Sequence, residues 1–136
     1  MGSPRDDEKM AGASEMLTRF GVEHEVHVMS AHRTAEEVAE FASNARSSGF
    51  GVIICGAGMA AHLAGVVSAH TTIPVIGVPL SGGISGGMDA LLSTVQMPRG
   101  IPVATVAVDG SANAGVLAVE IPDMATKISF LTLSLP

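Results

Sequence analysis

Apolar positions in the first twenty residues recur at helical spacing. Met10, Ala13, Met16, Leu17 and Phe20 share one face, which predicts a helix over Asp6–Phe20. Asp6, Asp7 and Glu8 suit the positive end of its dipole, and Gly21 is a natural stop. Val26 and Val28 alternate with polar neighbours, which predicts a strand over His24–Met29. A second helix is predicted from Thr34. Thr34 with Glu37 forms a capping-box pattern, and Val38, Phe41, Ala42 and Ala45 make the buried stripe. Gly51–Cys55, GVIIC, reads as a strand buried on both faces, followed by a glycine-rich turn and a helix over Ala60–Ala69. Pro74–Val78 is the next buried strand, and a glycine-rich loop covers Ser81–Gly87. A helix over Met88–Val95, a strand over Val103–Val108 and a helix over Ser111–Val119 complete the pattern. Strands without a polar face, alternating with helices, predict an α/β domain with a parallel sheet covered on both sides. Ligands of such folds bind beyond the carboxyl ends of the strands. The turns to inspect are therefore Ser30–Thr34, Gly56–His62 and Ser81–Gly87.

Composition narrows the function classes. The 136 residues fit one domain, and 47% hydrophobic against 15% charged residues excludes a disordered chain. The only aromatic residues are 4 phenylalanines, so the core must be aliphatic. A net charge of −6, without a basic cluster, Trp or Tyr, argues against a nucleic-acid partner. No apolar run approaches the roughly 18 residues of a membrane span. The N-terminus lacks a signal-peptide core, and the single cysteine, Cys55, has no intrachain disulfide partner. The expectation is a cytoplasmic protein.

The turns carry candidate chemistry. Ser30–Thr34 joins a strand end to a helix N-terminus, where free amides favour an anion. Ser30 and Arg33 add a hydroxyl and a guanidinium, and His32 between them is able to titrate near neutrality. The competing reading makes Ser30 and Thr34 caps and leaves Arg33 and His32 as surface residues. Gly2-Ser3 resembles a second anion-binding helix start, with Asp6 placed to accept from sugar hydroxyls; Ser3 or Asp6 as a simple cap is the alternative. Gly56-Ala57-Gly58 permits close backbone approach to a ligand, but Ala61 breaks the dinucleotide-binding G-x-G-x-x-G spacing. His62 is either a second proton carrier or a hydrogen-bonded structural histidine, the structural role being favoured on sequence alone. His24, His27 and His70 lack ligand spacing, so no zinc site is expected, and no G-x-S-x-G elbow marks a hydrolase. Met97–Gly100 reads as a turn from which Arg99 could reach a neighbouring subunit.

Ser30-Ala31-His32-Arg33-Thr34, Gly56-Ala57-Gly58 with Ala60-Ala61-His62-Leu63, Pro74-Val75-Ile76-Gly77-Val78-Pro79 and Ser93-Thr94-Val95-Gln96-Met97-Pro98 follow one another in that order. In this set the chain resembles the PurE family of phosphoribosylaminoimidazole carboxylase catalytic subunits, over roughly Gly2 to Ile121. The resemblance implies a flavodoxin-like three-layer α/β/α fold and a homo-octamer with sites where subunits meet. It implies de novo purine synthesis by N5-carboxyaminoimidazole ribonucleotide mutase chemistry, in which a carboxyl group moves from the exocyclic nitrogen to ring carbon C4. It implies no metal and no organic cofactor, and a functional link to the ATP-dependent synthase of the N5-carboxylated substrate. Carried onto this chain, it places Ser3, Ser30 and Arg33 at the phosphate, Asp6 at the ribose and His32 as general acid/base. Gly56, Ala57, Gly58 and Ala60-Ala61-His62 would surround the migrating carboxyl group.

The chain also departs from the family. An apolar strand normally precedes the turn at which this sequence starts; a truncated sequence is the favoured explanation, a rebuilt sheet the other. Pro4-Arg5-Asp6 stands where a further serine is usual, Met59 where glycine is common, and Ser81–Gly87 is unusually rich in glycine. The family's long C-terminal helix is not legible in residues 122–136, so the expected division is a catalytic domain over 1–121 and an atypical tail. Two alternatives to the mutase stay open: direct carboxylation by free carbon dioxide, and a ribonucleotide-binding or assembly module without turnover.

Overall fold

The computed structural model describes residues 1–121 of the chain; the tail expected over 122–136 lies outside them. The elements are α1 (Asp7–Arg19), α2 (Ala35–Asn44), β1 (Ile53–Gly58), α3 (Leu63–His70), β2 (Val75–Leu80), α4 (Met88–Val95), β3 (Ala104–Thr105) and α5 (Ser111–Glu120). Short 3₁₀ turns at Pro4–Asp6 and Ile84–Gly86 precede α1 and α4.

The sheet has the order β1-β2-β3 and is parallel throughout, with Ile53 opposite Val75 and Ile76 opposite Ala104. Alternate residues point to opposite faces. Cys55 and Val75 pack with Val38, Ala42, Leu63, Ala64 and Val67 of α2 and α3. Ile76, Val78 and Leu80 pack with Ala114, Met10 and Leu117 of α5 and α1. The result is three layers, as the flavodoxin-like resemblance implied. β2 is buried along its whole length, which explains its lack of polar residues. Gly77 is required at its centre, because a Cβ there would lie 2.5 Å from Thr94 Cγ2 and 2.9 Å from Val103 Cγ1.

Several expected boundaries move. Helix α1 ends as its glycine predicts: Gly21 has φ +71°, and the Val22 amide donates to Leu17 O at 2.9 Å in a Schellman closure. Gly56-Ala57-Gly58 is not a turn but the last half of β1, so the turn falls at Met59, with φ +55°, and α3 starts only at Leu63. The third strand shrinks to Ala104–Thr105, although the Val106 amide still donates to Gly77 O at 3.0 Å. The capping box of Thr34 does not form. Its hydroxyl accepts from the Ser30 amide at 2.9 Å and donates to Ser30 O at 3.2 Å, so it closes the preceding turn instead.

The strand expected over His24–Met29 is also absent, because a strand needs a partner along its edge. Met1 supplies one rung. Its amino group donates to His27 O at 3.0 Å and its carbonyl accepts from the Met29 amide at 2.9 Å, the pattern of a parallel bridge. On the other side the Gly2 amide donates to Gly56 O at 3.0 Å. Behind this rung lies a cavity of about 1170 Å³, walled by Val22, Met29, Phe41, Ile53, Cys55 and Ile121 among others.

Candidate active site

The carboxyl end of β1 gathers the predicted residues. The Gly2–Gly56 hydrogen bond sets the N-terminal turn against the strand. A Cβ on Gly2 would lie 3.8 Å from Ala57 Cβ and 3.9 Å from Asp6 Oδ2, so Gly2, Asp6, Gly56 and Ala57 are immediate neighbours. Ser3 is extended at φ −153°, and its Oγ accepts from the Arg5 amide at 3.2 Å, capping the 3₁₀ turn. Gly56 packs closely against Met10, whose side chain a Cβ there would displace. Gly58 is held close to β2, where a Cβ would meet Leu80 O at 3.3 Å.

The Ser30 turn is organised by its own hydroxyl. Ser30 Oγ accepts from the amides of His32 at 3.3 Å and Arg33 at 3.2 Å. Those two amides are therefore not free for an anion, contrary to the simplest expectation for a helix start. The Ser30 O–H and the exposed Arg33 guanidinium remain as donors.

The turn delivers His32 to His62. His32 Nε2 and His62 Nδ1 are 2.8 Å apart, with ring centroids 5.0 Å apart and planes at 75°. Both rings are exposed in the isolated chain. A hydrogen bond between two imidazole nitrogens requires one N–H and one lone pair. If His32 Nε2 donates, the second ring accepts, and His32 Nδ1 is left to take up or give a proton. The imidazolium so formed keeps its bond to the neutral neighbour. The pair is thus suited to holding one mobile proton at the surface of the crevice.

The 59–62 turn that presents His62 is braced from α4. Ser93 Oγ accepts from the buried Ala61 amide at 2.9 Å and lies 2.7 Å from Asp89 O, to which it donates. Sequence reasoning missed Ser93, although it sits in the Ser93–Pro98 motif. Cys55 is no candidate nucleophile: burial pushes its thiol up to about 12. Among the described residues no three His, Cys, Asp or Glu side chains converge to hold a metal ion. The 1170 Å³ cavity lies beside β1 and does not include either ring of the histidine pair.

The chain is similar to several known proteins. Residues 1–131 match the family model described as AIR carboxylase. N5-carboxyaminoimidazole ribonucleotide mutase of Aquifex aeolicus is 54% identical over 133 residues, 94% of this chain and 80% of that protein. The chloroplastic phosphoribosylaminoimidazole carboxylase of Vigna aconitifolia is 55% identical over 120 residues, 88% of this chain but 22% of that longer protein. The crystal structure of Treponema denticola PurE superposes with a TM-score of 0.77 at 30% identity, covering 89% of this chain and 75% of that one. The chain belongs to the AIR carboxylase, or PurE, family.

Proposed function

We propose that the protein converts N5-carboxyaminoimidazole ribonucleotide to 4-carboxy-5-aminoimidazole ribonucleotide in de novo purine biosynthesis. The observation that carries the residue assignment is the 2.8 Å bond between His32 and His62, which joins the Ser30 turn to the 59–62 turn that follows β1. Ser3, Ser30 and Arg33 bind the phosphate and Asp6 the ribose. The N–C bond to the carboxylate breaks, its electron pair returns to nitrogen, and His32 supplies the proton that makes the amine. Carbon dioxide stays beside Gly56, Ala57, Gly58 and His62. C4 then attacks it, and the proton released from C4 returns to His32. Gly56, Ala57 and Gly58 offer the gas walls without polar side chains, which bind water poorly and so slow its escape. Two proton transfers by one imidazole need a partner that tolerates both charge states, and neutral His62 is such a partner.

Incubation with the N5-carboxylated ribonucleotide, without ATP or bicarbonate, should yield the C4-carboxylated isomer. The identity with plant and yeast proteins named as carboxylases supports a second reading, direct carboxylation of aminoimidazole ribonucleotide. Product that forms only from that nucleotide and scales with added bicarbonate would favour it. We further infer a catalytic domain over 1–121, a functional link to the ATP-dependent synthase that makes the substrate, cytoplasmic location, and assembly as a homo-octamer. No helix of the described residues is long and apolar enough to cross a membrane. Assembly is supported by an uncovered apolar stripe, Met88, Leu92 and Val95 of α4 beside Met59 and Ile84.

A further inference from the structure

The loop between β2 and α4 is not held by its own conformational preferences. Gly82, Ser85, Gly86 and Gly87 all have positive φ, at +121°, +50°, +68° and +104°. Burial does not hold it either, since Ile84 at its tip is 72% exposed. Its first residue, by contrast, is tied down from two sides. The Ser81 amide donates to Asp109 Oδ1 at 2.9 Å and its hydroxyl donates to Asp109 Oδ2 at 2.5 Å. Lys9 Nζ donates to Ser81 O at 2.5 Å and reaches Ser81 Oγ at 3.1 Å. Such charge-assisted bonds are roughly twice as strong as neutral ones.

The two anchors are themselves fixed. Asp109 takes φ +57°, a left-handed conformation that aspartate tolerates better than most side chains, and its amide donates to Pro79 O at 2.9 Å. Lys9 O accepts from Ser111 Oγ at 2.6 Å, which seats that turn of α1 on the start of α5. Lys9 lies one helical turn beyond Asp6, and Ser81 follows Leu80, the register partner of Gly58. The three residues therefore bridge the α1 side of the crevice, the end of β2 and the start of α5.

We propose that Lys9, Ser81 and Asp109 are positioning residues, a charged clamp that holds the loop Ser81–Gly87 at the mouth of the crevice beside β1. The proposal rests on the mutase reading for its catalytic consequence but not for its structural one. Asp109→Gly is the discriminating variant, because glycine accepts the backbone angle at no steric cost while removing the carboxylate. Hydrogen exchange of the loop peptide should quicken by about tenfold, well beyond any change in β1 and β2. Lys9→Met should quicken the same peptide. In the isomerase assay the variants should release more aminoimidazole ribonucleotide per C4-carboxylated product, since a loose loop lets carbon dioxide leave; a merely structural role would not move that ratio. Asp109→Asn, which keeps an acceptor for the Ser81 amide, should restore most of the wild-type ratio. Unchanged loop exchange in both Asp109→Gly and Lys9→Met overturns the clamp. If exchange quickens while the wild-type protein itself shows no isomerisation, the clamp stands and the mutase reading fails. If exchange quickens and the product ratio does not move, the loop is clamped but its position does not matter to the reaction, and the positioning role is overturned.

Discussion

Ser93→Ala isolates the brace behind the histidine pair. The Ala61 amide is buried with its residue 1% exposed, and Ser93 Oγ accepts from it at 2.9 Å. Without the hydroxyl, that amide keeps only the Met59 carbonyl two residues back, a cramped partner also at 2.9 Å. Losing one partner of a buried donor costs about 1–2 kcal/mol, and the better helix propensity of alanine returns up to about 0.5 kcal/mol. The net loss of about 1 kcal/mol should lower Tm by about 3–6 °C. The functional effect should be larger than that stability loss explains, because the same turn holds Met59 at φ +55° and aims His62 Nδ1 at His32. Looseness worth about 1.4 kcal/mol in the relative placement of the two rings is a tenfold loss in kcat. Thermal unfolding and isomerase kinetics on the same preparation decide the matter. A lowered Tm with wild-type kcat would refute the claim that α4 positions the catalytic pair.

Three further outcomes follow from other parts of the molecule. Met59→Gly should raise Tm by about 2–4 °C, since the αL strain relieved is about 1–2 kcal/mol against about 0.5–1 kcal/mol of added chain entropy, and the side chain is 66% exposed; a fall in Tm would mean the methionine packs usefully. Cys55, with its thiol pushed up to about 12 by burial, should resist thiol reagents at pH 8 in the native protein and react at once in denaturant; fast native labelling would show that the cavity beside β1 opens freely. Burial works against ionisation of Asp109, but its bonds to the Ser81 hydroxyl and amide and the nearby Lys9 ammonium prevail and hold it below the ordinary carboxylate value. A depressed folded value contributes stability that is full above about pH 4 and lost as pH falls through that folded value. Asp109→Asn should therefore flatten the acid limb of the stability profile and leave the limb above neutrality unchanged, as urea titrations across pH can test.

The helices and the strands β1 and β2 were legible because their signals are local. Amphipathic spacing marked α1 and α2, and the unbroken apolar runs marked β1 and β2. The misreadings have physical causes. Glycines at 56 and 58 suggest a turn, yet both lie in β1, where a Cβ would crowd the Met10 side chain at 56 and Leu80 O at 58. Thr34 and Glu37 spell a capping box, but Ser30 captures the hydroxyl first. Val26 and Val28 have strand character, but along this stretch Met1 pairs only with His27 and Met29. At the site, the motif around His32 identified the residue, whereas its bond to His62 joins positions 30 residues apart and depends on how α3 is seated. Ser93 and Asp109 stayed invisible for the same reason, since their roles consist of contacts 32 and 28 residues away.

The account depends most on His32 as the group that moves the proton. His32→Asn keeps a planar polar side chain and removes the imidazole that exchanges the proton. Isomerisation of the N5-carboxylated ribonucleotide should fall by about 10²–10⁴-fold, while binding of the ribonucleotide, measured by calorimetry, stays within a few-fold of wild type. Wild-type turnover in that variant would contradict the assignment.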